Sequence, residues 1–223
     1  MPPSGPPTEQ EIWKIARRTT DIIQSNITRN VCLFGSAACS LYVNIGRVPH
    51  SNLGYMTQKT KAIIAQADNR YYLAKSRIRG ATHKKLYCRL PGWKTDKGRC
   101  IKADILVPPT LGLPNITEFD IYFINDIPVM GTFDLLVMKT QGWWDHLTSP
   151  RKDFQAKVND DVSDIIALLD RAKLEGVSYV EVESEQDEYG HSQEFMDHAY
   201  SLANRFVNVY GTHRRWRALD FPL

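Results

Sequence analysis

Residues 31–42 of this 223-residue chain change character at a single dipeptide. Val31-Cys32-Leu33-Phe34 is an apolar run suited to a buried strand, and Ala37-Ala38-Cys39-Ser40-Leu41-Tyr42 suits a helix; between them stand Gly35 and Ser36. The pattern predicts strand, tight turn, helix. Glycine lets the backbone turn sharply, and Ser36 in the N-cap position would set a hydroxyl beside the free amides of the helix start. Such a corner attracts phosphate. It also serves simply to fold a strand onto a packing helix, so other segments must decide between the two.

Taken in order, residues 1–10 form a proline-rich tail, and Thr8 with Glu11 makes a capping box for a helix running to about Ile27. After the Gly35-Ser36 corner come a weak strand near Leu53–Thr57, a short helix over Lys59–Ala67 and a strand over Arg70–Ala74. Thr82–Leu90 and Cys100–Val107 read as an antiparallel pair, with Phe119–Ile124 as an edge strand. From Thr132 the period becomes helical, over the segment around Phe133–Lys139, over Asp153–Ala172 and over Gln193–Tyr210. The expectation is an α/β (α+β) protein: a tail (1–10), an α/β core (11–126) built on a mixed sheet with flanking helices, and a C-terminal helical region (127–223).

Charge is distributed unevenly. The window Lys75–Lys102 holds ten Lys/Arg, Arg89 and Lys102 among them, against the single acid Asp96, whereas residues 164–198 hold ten acids and two bases. A positive region of that density suits phosphates or RNA, and equally a solvated strand face balanced by the acidic segment. Four cysteines lack zinc-ligand spacing, no apolar run approaches a membrane span, and residues 1–7 lack the apolar core of a signal peptide; cytoplasm or nucleus is the expected location. His146 follows Trp143, Trp144 and Asp145, a group that suits either base stacking or core packing; adjacent Asp145 and His146 do not face each other on a helix.

Asp104 interrupts the apolar run Ile101–Val107 and must meet solvent, a cation or a metal. Gly35-Ser36 on a strand-turn-helix, followed by Asp104 on a strand, resembles the nucleotidyltransferase superfamily with the DNA polymerase β type of fold. Asp134-Leu135 through Lys139, then Arg151, Asp153, Lys157, Asp161 and Asp164, is similar to a segment of its abortive-infection toxin branch. Phe34–Tyr42, Lys102–Pro108 and Gln141–His146 look most like uncharacterised fungal members. The resemblance covers residues from about 28 onward. It implies a nucleoside triphosphate ligand, Mg²⁺, a phosphate site at Gly35, Ser36 and Lys139 aided by Lys102 and Arg89, and Asp104 as a catalytic acid and metal ligand.

The sequence departs from that pattern at the metal pair. Active members carry Asp-x-Asp on the strand after the Gly-Ser helix, yet no acid occurs between Asp21 and Asp68; His50, Ser51 and Asn52 stand there instead. Two Mg²⁺ ions need several hard oxygen ligands, which one carboxylate cannot supply. The expectation is a weakened or inactive enzyme that binds nucleotide or RNA phosphates, with a protein partner as a further option and no membrane. The alternative is an active Mg²⁺-dependent enzyme moving a nucleoside monophosphate from an NTP to RNA, protein or a small hydroxyl.

Overall fold

The computed structural model describes residues 5–43, 58–76, 80, 82–92, 98–184 and 191–223. The segment around His50, Ser51 and Asn52, where the metal pair was sought, lies outside the described residues, as does the weak strand near Leu53–Thr57. Helix α1 (Glu9–Asn26) opens with the expected capping box: Glu11 N donates to Thr8 Oγ1 at 3.2 Å and Thr8 N to a Glu11 carboxylate oxygen at 2.7 Å. Its apolar stripe, Ile12, Ile15, Ala16 and Ile23, faces the core.

Helix α2 (Ser36–Tyr42) follows the Gly-Ser corner, and α3 (Gln58–Ala67) leads into a three-stranded antiparallel sheet of β1 (Tyr71–Lys75), β2 (Lys84–Arg89) and β3 (Cys100–Ala103), in that spatial order. The inner face is apolar: Tyr71, Leu86, Cys88, Ile101 and Ala103 are buried. Because side chains alternate across a strand, the other face carries Tyr72 and Ala74 from β1, Lys85, Tyr87 and Arg89 from β2, and Lys102, which lies opposite Tyr87. Tyr72 and Tyr87 stack at 5.6 Å, and the Arg89 guanidinium lies 4.5 Å from the Tyr72 ring centre.

A second sheet is the hairpin of β4 (Ile121–Ile124) and β5 (Ile127–Met130). Its two-residue turn, Asn125-Asp126, has positive φ at both positions, 51° and 57°, a conformation that Asn and Asp tolerate better than most residues. The strand expected over 31–34 is reduced to one parallel bridge. Leu33 N donates to Pro128 O at 2.7 Å and Met130 N to Leu33 O at 2.9 Å, after which Gly35 turns the chain away. That bridge is the parallel component of an otherwise antiparallel arrangement of the described strands.

The remaining helices are α4 (Thr132–Thr148), α5 (Lys152–Gln155), α6 (Val158–Glu175), α7 (Tyr179–Ser184), α8 (Gln193–Tyr210) and α9 (His213–Arg217). The single helix expected over 153–172 is thus two, and α6 ends at Gly176 in the left-handed conformation that favours glycine. Trp143 is core: fully buried, it packs on Phe206 and Tyr210 and donates its indole N–H to the Tyr210 hydroxyl at 3.2 Å. One cluster of buried apolar residues runs from Ile12 to Phe221, and the β4–β5 hairpin spans the boundary expected at 126. No helix of the described residues is long and apolar enough to cross a membrane.

Candidate functional site

Gly35 is the N-cap of α2, with φ 69° and ψ −157°, a combination essentially confined to glycine. Ser36 is therefore the first helical residue rather than the expected cap, and its hydroxyl turns outward from the helix start. It meets Lys139 Nζ at 3.4 Å and Asp164 Oδ2 at 3.5 Å. Lys139 comes from the second turn of α4, and two carboxylates of α6 flank it: Asp161 Oδ1 at 2.7 Å and Asp164 Oδ2 at 2.8 Å. Residues three apart share a helix face, so α6 delivers both acids to one side. The second oxygen of Asp161 contacts His146 Nδ1 at 2.5 Å, two turns along α4 from Lys139 on the same face.

The electrostatics of this cluster are those of a satisfied buried network. Lys139, Asp161 and Asp164 are buried, Asp164 completely. Burial pulls the Lys139 ammonium towards neutrality, but Cys39, Asp164 and Asp161 outweigh it and leave its pKa raised. Burial pushes Asp161 upward, and the His146 hydrogen bond and Lys139 more than reverse this, leaving its pKa lowered. Lys139 is thus ionised and already neutralised by two carboxylates. A small cavity of about 170 Å³ opens beside them, its polar wall made by Ser36, Lys139, His146, Lys157, Asp160 and Asp161. It has room for a phosphate group.

The other expected site residues lie elsewhere. Asp104 is the first residue after β3, paired with Lys102. Burial raises the Asp104 pKa, against Lys102, Lys61 and Lys85, which lower it, so the charged groups acting on it are lysines. Arg89 donates to Asn69 O at 2.7 Å and covers Tyr72. None of Asp104, Lys102 and Arg89 lines the cavity at Ser36.

A second constellation was not anticipated from the sequence. Asp120, Asp134 and His191 bring one ligand atom each to within 4.8 Å of one another, and among the described residues they form the group able to hold a cation. They line a cavity of about 1000 Å³, with Thr132, Glu175 and Glu181 also on its walls. Asp120 precedes β4, Asp134 sits in the first turn of α4, and His191 precedes α8, so no local spacing could have linked them. Lys157 was part of the segment that carries the toxin-branch resemblance, but nothing in the sequence places it at a cavity with Ser36.

No protein-family model matches the sequence, and no curated protein matches it. A crystal structure of an antigenic nucleotidyltransferase-like protein from Paracoccidioides brasiliensis does superpose, with a TM-score of 0.61, over 97% of this chain and 95% of that one. The fold is nucleotidyltransferase-like. At 13% identity the likeness concerns backbone architecture, and it extends through the helical half as well as the sheets. In this nucleotidyltransferase-like fold the Gly35-Ser36 turn and the α4–α6 pair are brought together from segments about a hundred residues apart.

Proposed function

We propose that this protein is a nucleotidyltransferase-fold protein without the Asp-x-Asp metal pair, a weakened or inactive enzyme that binds the phosphates of a nucleotide or of RNA. The observation that carries this reading is the convergence of Ser36, Lys139 and Asp161 at a phosphate-sized cavity, with Asp164 buried behind them. Lys139 spends its charge on two buried carboxylates, so it orients Ser36 and α6. In this reading Gly35 and Ser36 cradle the phosphate, and Lys157, on a cavity wall it shares with Asp160, supplies positive charge. RNA would run along the face bearing Lys85, Tyr87, Arg89 and Lys102, where stacked tyrosines and cations suit bases and backbone together. The proposal includes kinship with the abortive-infection toxin branch and with fungal members, and a cytoplasmic or nuclear location.

A second reading, an active Mg²⁺-dependent transferase with Asp104 as general base, draws support from Asp120 and Asp134, which are acids outside the expected place that share a potential cation site. Incubation of the protein with each α-labelled NTP, Mg²⁺ or Mn²⁺, and RNA or protein acceptors separates the two. The proposed function expects little or no label on any acceptor. Transfer that Asp104→Ala abolishes would establish the active enzyme instead.

A further inference from the structure

The geometry points to a divalent transition-metal site, of the Zn²⁺ class, formed by Asp120, Asp134 and His191 at the wall of the large cavity. The inference is independent of phosphate binding at Ser36.

Three separate segments are held at this point by the fold. The Gly131 amide donates to Asp120 O at 2.9 Å, which fastens the start of β4 to the start of α4, and a side chain at Gly131 would meet the Tyr122 ring at 3.2 Å. This close approach sets Asp120 beside Asp134. Among the described residues the Asp120 side chain is anchored through Oδ2, which accepts from the Thr117 amide and hydroxyl, both at 2.7 Å. His191 is held in orientation by Phe195, stacked at 4.8 Å, and Phe133, edge-on at 5.9 Å, while its Nε2 contacts Asp134 Oδ1. Two carboxylates and an oriented imidazole therefore converge, each already fixed by its own outer contacts, as ligands of bound metals commonly are.

The charge at the site calls for a cation. Asp134 is buried, with His191 in contact and Asp120 close by. Two carboxylates and one imidazole gathered at a cavity wall are a donor set that suits a dication. Ligand atoms on one tetrahedral ion lie about 3.4 Å apart, given metal–ligand distances near 2.1 Å, so atoms within 4.8 Å need shift by only about 1 Å to close on it. An imidazole nitrogen among the ligands favours Zn²⁺, Co²⁺ or Ni²⁺ over Mg²⁺, which prefers an all-oxygen octahedron. Three protein ligands leave a coordination position facing the cavity for water or for a bound anion.

The test is calorimetric titration of EDTA-treated, dialysed full-length protein with Zn²⁺, beside His191→Gln and Asp120→Asn. In the first variant the glutamine amide can still donate to Asp134, and in the second the asparagine carbonyl can still accept from Thr117. Both variants thus keep these hydrogen-bond partners, and thermal melts check that the fold survives the loss of the His191 ring. The expected result is one Zn²⁺ per chain, not displaced by equimolar Mg²⁺, with affinity lowered at least about tenfold in each variant. No stoichiometric uptake, uptake that both variants leave unchanged, or displacement by equimolar Mg²⁺ would overturn the assignment.

Discussion

Lys139 is the residue on which the Ser36 corner depends, because it answers two buried carboxylates at once. Replacing it by Met leaves Asp161 and Asp164 buried without their cation, and Lys139→Met is expected to lower the unfolding free energy by about 3–5 kcal/mol in urea denaturation. A stability change below about 1 kcal/mol would show that water already screens the pair. Asp161 gives a pH signature. Its folded pKa is held below the unfolded value of about 3.9, so its ionised form contributes stability above that value and loses it as pH falls through the lower folded one. Asp161→Asn should therefore flatten the acid limb of stability below about pH 4, measured by denaturation at stepped pH; an unchanged limb contradicts the assignment. Lys139, Asp161 and Asp164 were visible in the sequence as members of a helical pattern. The resemblance put Lys139 with Ser36; that Asp161 and Asp164 join them in one network was not legible, because it depends on how α4 packs on α6.

At the scale of elements, local signals served well where the physics is local. The capping box of α1 follows from Thr8 and Glu11 alone, and the α8 helix from its periodic apolar face. The strand over 31–34 did not form as expected, since only Leu33 finds ladder partners before Gly35 turns the chain. Strand β5 was missed because Pro128 argues against a strand; its missing N–H does no harm here, as its carbonyl accepts from Leu33. Asn125-Asp126 between isoleucines was the available signal for that hairpin, weaker than Asn-Gly. Gly35 is the element-level hinge of the site. A side chain there is strained at φ 69° and ψ −157°, so Gly35→Ala is expected to cost about 1–3 kcal/mol and to displace the Ser36 hydroxyl from Lys139. Equilibrium unfolding checks the cost, and no measurable loss would contradict the strained turn.

For the whole molecule, the buried cluster running from Ile12 to Phe221 joins sheets and helices, which predicts one cooperative transition; far-ultraviolet circular dichroism and tryptophan fluorescence should report the same midpoint. Two separated midpoints would divide the molecule near residue 126. The charge polarity seen in the sequence has a structural counterpart in the β1–β2–β3 face, and RNA binding there should fall steeply with salt. The double variant Lys85→Glu and Lys102→Glu is expected to reduce the slope of log K against log salt by about 2. An unchanged slope would move RNA off this face. The central claim is that the Ser36 corner holds phosphate, and calorimetric titration of each NTP into wild type, Ser36→Ala and Lys157→Glu, with and without Mg²⁺, tests it most directly. Binding in wild type without Mg²⁺, weakened at least about tenfold in both variants, is the predicted result; no NTP binding, or binding that both variants leave intact, would contradict it.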